Sequence, residues 1–103
     1  MMIYMLYKMY EQGEDLLLAV CDKELLGRKF KEGDLCLDVK ESFYGGEDIG
    51  KEELLEKMEG CTIANLVGQD SVGAAVEAGF GREDDVIMVD NVPHLQIVRL
   101  YIR

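Results

Sequence analysis

The stretch CTIANLVGQDSVGAAVEAGF, Cys61 to Phe80, changes character at Gly68. Before that glycine, β-branched and apolar residues crowd together as they do in a strand. After it, Val72, Ala75, Val76 and Gly79 recur at helical spacing, and the small residues Gly73, Ala74 and Ala78 let a helix lie close on a sheet. The stretch therefore predicts a strand over Cys61–Gly68 and a helix that opens at Asp70 or Ser71 and ends at Gly79 and Gly81. Strands and helices must share one core, which excludes an all-β or all-helical chain.

The flanking segments fit that frame. Met2–Tyr10 reads as a strand, EQGED (Glu11–Asp15) as a polar turn, and LLLAVC (Leu16–Cys21) as a second strand apolar on both faces. Together they predict a hairpin whose second strand is central in its sheet. Asp22 is placed to cap a short helical turn in KELLGRKF, limited by Gly27. DLCLDV (Asp34–Val39) alternates as a strand with one wetter face. The clearest helix follows Gly50, which fits the N-cap. Ile49 can staple onto Leu54, and Leu54, Leu55 and Met58 form its apolar stripe up to Gly60. VIMVD (Val86–Asp90) and His94–Ile102 read as strands joined through NVP. The expected fold class is α+β, a single domain over residues 1–103. It has one mixed β-sheet, hairpins at both ends and two main helices.

Composition bounds the partners. The chain has 103 residues and carries 11 basic against 21 acidic side chains, a net charge of −10. The excess is even, with 6 basic and 11 acidic residues in 1–50 and 5 and 10 in 51–103, so it is a surface property and not an acidic tail. Autonomous nucleic-acid binding needs a basic face and is not expected. The one basic knot, Arg28, Lys29 and Lys31, is small and read as an exposed turn. An acidic exterior suits a basic protein or ribonucleoprotein partner. Cys21, Cys36 and Cys61 have neither zinc-knuckle nor redox spacing, and their odd number without a secretion signal fits a reducing compartment. MMIYMLYKMY lacks the cationic start of a signal peptide, and no segment approaches the roughly 20 apolar residues of a membrane span. A soluble, cytoplasmic protein is expected.

Three segments carry the candidate site residues. In ESFYGGED, the glycines Gly45 and Gly46 permit left-handed dihedrals, and their amides could face an anion, but Glu47 and Asp48 follow at once and would repel it. The structural reading is a tight turn with Phe43 in the core and Tyr44 partly exposed. The functional reading is an aromatic contact surface for a peptide or protein. In NLVGQDS, Asn65, Gly68 and Ser71 lie where a strand ends and a helix begins, a place where ligands gather. There Asn65 would orient a polar ligand and the amides near Ser71 would receive an oxygen, whereas capping alone explains Asp70. VPHLQ holds the only histidine, His94, a general base by type and a surface or hydrogen-bonded residue by frequency. No catalytic residue, cofactor or metal site is assigned, because no nucleophile–base or ligand grouping follows from the spacings.

The runs CDKELLGRKFKEGDLCLDVKESFYGGE, TIANLVGQDSVGAAVEAGF and VPHLQIVR together resemble the archaeal domain-of-unknown-function family 424, over about Met2 to Arg99. The resemblance implies that Phe43, Tyr44, Gly45, Gly46, Asn65, Gly68, Pro93 and His94 fall on the family's motif positions. It also implies a small stand-alone protein in the company of translation components, and it supplies no reaction. The leading expectation is a non-enzymatic binding module for a basic protein or ribonucleoprotein. The first alternative is a small enzyme or ligand sensor with one pocket near Asn65, Gly68, Ser71 and His94. The second is a homo-oligomeric subunit pairing through an exposed edge strand at His94–Ile102.

Overall fold

The computed structural model describes residues 4–99. Its centre is β2 (Asp15–Asp22), which no solvent reaches at Leu18, Ala19, Val20 or Cys21. β1 (Met5–Gln12) pairs antiparallel to it through a turn at Gly13 and Glu14, tighter than the five-residue turn expected, because Gln12 and Asp15 already pair. On its other side β2 runs parallel to β6 (Ile63–Val67), with Ala19 opposite Asn65. β8 (Val92–Val98) is antiparallel to β6, and β7 (Ile87–Val89) closes that side. On the far side β5 (Glu47–Ile49) pairs with β1, giving the order β5-β1-β2-β6-β8-β7. A second sheet is the hairpin of β3 (Lys29–Glu32) and β4 (Leu35–Asp38).

Side chains alternate across a strand, so the large sheet feeds two cores, one on each face. Leu18, Val20, Ala64, Leu66 and Leu95 pack with Leu54 and Met58 of α2 (Lys51–Gly60) and Val72 and Ala75 of α3 (Gln69–Glu77). Ala19, Cys21 and Val67 pack on the opposite face with Phe30, Leu37 and Tyr44, which come from the β3–β4 hairpin and the single helical turn α1 (Glu41–Tyr44). The fold is thus α+β, with helices on one face and a small hairpin on the other. Gly50 takes the N-cap of α2 as expected, and Ile49 and Leu54 are both fully buried in one cluster.

Several expectations change. Lys29–Glu32 is a strand, so the basic knot sits on a hairpin, with Arg28 over the Phe30 ring. ESFYGGED is not one open loop but a helical turn followed by strand β5. The last hairpin turns at Asp90 and Asn91, both with positive φ, and Val92 and Pro93 already belong to β8. Pro93 is tolerated inside the sheet because the place of its missing N–H lies beyond the end of β6. Its carbonyl accepts from Gly68 N–H, and the Gly68 carbonyl accepts from Val72 N–H, the opening bond of α3. The expected edge at His94 is covered by β7, while beyond it that side of β8 pairs with no other strand among the described residues up to Val98. Met2, Ile3 and Leu100–Ile102, which the expected terminal strands included, lie outside the described residues. No helix among the described residues is long and apolar enough to cross a membrane.

Candidate functional site

The sheet sorts the predicted site residues by face. Asn65 and Val67 share one face of β6, and His94, opposite Val67 on β8, shares it too. α1 folds onto that face against β1 and β2 and delivers Tyr44. The Tyr44 hydroxyl donates to Asn65 Oδ1 at 2.6 Å, and His94 Nε2 meets the same oxygen at 2.9 Å. An amide oxygen only accepts, so His94 carries its proton on Nε2. Three of the residues marked by the sequence therefore form one hydrogen-bonded cluster.

The electrostatics of this cluster are neutral. Burial lowers the His94 pKa from its ordinary value, so the imidazole is uncharged at neutral pH. Burial raises the Tyr44 hydroxyl well above the usual phenol range, and nearby Cys21 raises it further. Cys21 is itself pushed up to about 12, by burial first and then by Asp22 and Glu24. Neither the phenol nor the thiol is poised as a nucleophile, since activation requires a lowered pKa or an adjacent base.

The aromatic–glycine segment is the reverse of its expected form. Tyr44 is buried at 4% exposure and Phe43 is the partly exposed ring. One helical turn aims successive side chains about 100° apart, so only one of the two can enter the core. Phe43 instead stacks on Tyr10, with centroids 5.4 Å apart, and the Tyr10 hydroxyl donates to the Phe43 carbonyl at 2.7 Å. Gly45 and Gly46 are not left-handed. They are required by close approach: a Cβ on Gly45 would strike the Glu41 carbonyl, and one on Gly46 the Tyr7 carbonyl. The glycines thus seat α1 against β1 and present no anion cradle.

Gly68 and Ser71 belong to a different device on the helix face. Asp22, 3% exposed at the end of β2, accepts from Ser71 N–H and Ser71 Oγ, both at 2.8 Å, and from Asp70 N–H at 3.0 Å. It caps α3 from 48 residues away and leaves the local turn Lys23–Leu25 without a side-chain cap. The carboxylate meets both the free amides and the positive dipole end of α3. Gly68, with φ of 110°, is the only residue type that fits, because a Cβ there would collide with the Asp22 carboxylate. The amides near Ser71, expected to receive a ligand oxygen, are already taken by Asp22. Asn65 with His94 on one face, and Ser71 on the other, do not line one pocket.

No buried side-chain nitrogen or oxygen among the described residues lacks a partner. No three His, Cys, Asp or Glu side chains among them converge as metal ligands would. What the sequence did not single out is a groove of about 530 Å³ between α3 and β7, floored by Val72, Val76, Val86, Met88 and Pro93 and bordered by Glu77 and Glu83. The available signal was the alternation of Val86 and Met88, read above only as strand character.

The comparisons with known proteins agree with this architecture. Residues 10–100 match a family model described as "Protein of unknown function (DUF424)". The chain is also similar to a solved structure described as the crystal structure of an uncharacterized conserved protein from Methanopyrus kandleri. Identity is 26%, 96% of each chain is covered, and the TM-score is 0.78. No curated protein matches.

Proposed function

The chain belongs to the DUF424 family, and from that premise we propose that it is a non-enzymatic binding module whose acidic exterior receives a basic protein or ribonucleoprotein. The observation that carries this reading is how the conspicuous polar groups are used. Tyr44 and His94 spend their protons on Asn65, and Asp22 spends both oxygens on α3. Those groups hold elements together, and none of the three is itself an activated nucleophile or a charged base facing a substrate. The net charge of −10 remains for recognition and attracts cationic surfaces over a Debye length of about 8 Å at physiological salt. The translation setting implied by the family resemblance is compatible with such partners, since ribosomal proteins are rich in exposed Lys and Arg.

The test is a salt titration of immobilised protein against purified basic ribosomal proteins. Retention is expected to fall steadily between about 0.05 and about 0.5 M salt. Replacing Glu83, Asp84 and Asp85 by Lys is expected to weaken it further. Retention indifferent to both salt and charge reversal contradicts the reading.

A further inference from the structure

We infer that the groove between α3 and β7 binds an extended, cationic segment of the partner, which adds as a strand to β7 and sets apolar side chains against Val76 and Met88. The inference rests on the basic-partner reading above and specifies where and how the partner is held.

β7 ends the order of the large sheet, so its outer side pairs with no other strand among the described residues. Its hydrogen-bond phase follows from Pro93. The Pro93 carbonyl points towards β6, where it accepts from Gly68 N–H. Met88 lies opposite Pro93, and that pair is consequently a non-hydrogen-bonded one. The N–H and C=O of Met88 therefore point outward, away from β8, and pair with no backbone group among the described residues. Ile87 and Met88 are also among the most exposed large apolar side chains, at 51% and 46%. On the helix side, Val72, Val76, Val86 and Pro93 give that edge an apolar trough.

The charge around the trough identifies its occupant. Glu77 and Glu83 border it, and Asp84 and Asp85 follow in the exposed turn Glu83–Asp85. Lys51 pairs with Glu77 and Arg82 with Asp84, on side chains that are mostly solvent-exposed, so both cations are readily exchanged for a partner's. A second copy of this chain would bring the same acids to the same edge and be repelled. An extended segment alternating basic and apolar residues satisfies all three features at once. Its backbone pairs with Met88, its apolar side chains fill the trough, and its Lys or Arg side chains reach the acids. A helix could fill the trough but would leave the Met88 backbone groups unpaired.

The experiment is fluorescence anisotropy with the labelled, amidated peptide Lys-Val-Lys-Val-Lys-Val-Lys. Its comparators are the same peptide N-methylated at alternate residues, its Glu-for-Lys counterpart, and a helix-forming Lys/Leu peptide. Wild-type protein is expected to bind the first peptide alone. Met88→Pro removes the outward N–H together with the Met88 side chain that lines the trough and leaves the β7–β8 ladder intact, and Val76→Lys fills the trough with charge. Each is expected to weaken binding roughly tenfold with melting temperature little changed. Wild-type affinity in both variants, with binding lost on reversing Glu83, Asp84 and Asp85, overturns the groove and leaves the acidic-surface reading standing. Equal binding of the N-methylated or helical peptide overturns strand addition. A concentration-dependent dimer that protects Met88 assigns the edge to a second copy and overturns the proposal. No binding of any basic peptide overturns both readings.

Discussion

The two faces of the central sheet each carry a polar cluster, Asp22 of β2 with α3 on one and Tyr44 of α1 with Asn65 of β6 and His94 of β8 on the other, yet they solve different problems. On the helix face, one buried carboxylate is clasped by two amides and a hydroxyl of α3. On the opposite face, a neutral phenol and a neutral imidazole share one amide oxygen. A charge can be buried only when its hydrogen-bonding capacity is met, and a helix N-terminus meets it with no opposite charge. Where no helix end is at hand, uncharged groups are used and the pKa values move to keep them so. The helix-face latch should therefore dominate stability, and the neutral cluster should contribute less and respond to pH.

Breaking the latch is expected to have the largest effect. Asp22→Ala strands three donors and should cost about 3 kcal/mol in chemical denaturation, more than an ordinary helix cap. Gly68→Ala forces a side chain onto both a left-handed backbone and the Asp22 carboxylate, and should cost a similar ~2–4 kcal/mol. On the other face, Tyr44→Phe removes one hydrogen bond without changing shape and should cost about 1 kcal/mol. If Tyr44→Phe proves costlier than Asp22→Ala, the ranking of the two faces is reversed.

A smaller effect sharpens the contrast through pH. His94 has a folded-state pKa below its ordinary 6.5. As pH falls, the unfolded chain therefore takes up the proton first, and stability declines through and below that value. Melting temperature should drop between about pH 7.5 and about pH 5, and His94→Gln should flatten that part of the curve. The smallest effect is at Asp70, whose pKa is raised by burial and then by Asp22 and Glu24. The sign is opposite. The folded state holds this proton more tightly, so ionising Asp70 opposes folding, and Asp70→Asn should raise the melting temperature slightly at neutral pH.

What the sequence could disclose divides along the same physical line. β2, β6 and α2 announce themselves because their signals are local: an unbroken apolar run, a β-branched run stopped by glycine, and a staple from Ile49 to Leu54 across Gly50. Asp22 does not, because its partners are 48 residues away. A local candidate also hid it: Asp70 reads as the cap of α3, yet the N-cap is Gly68 and Asp70 lies inside the first turn of the helix. Phe43 and Tyr44 were exchanged because adjacent aromatics in one helical turn differ only in direction, which tertiary contact decides. β3 and β5 were missed because Lys29, Lys31, Glu47 and Asp48 read as turn polarity, although charged side chains suit a short hairpin and an edge strand. Asn65 and His94 were both marked, and their meeting depends on the β6–β8 register alone.

The central claim is that the polar clusters are scaffold and that the acidic exterior recognises the partner. Its most direct test is the dissociation constant of the labelled Lys-Val peptide for Tyr44→Phe and for the chain carrying Glu83→Lys, Asp84→Lys and Asp85→Lys, each against wild type. The predicted result is an unchanged constant for Tyr44→Phe and binding lost from the charge-reversed chain. Binding kept by the charge-reversed chain and lost from Tyr44→Phe would place recognition in the Tyr44–Asn65–His94 cluster and contradict the account.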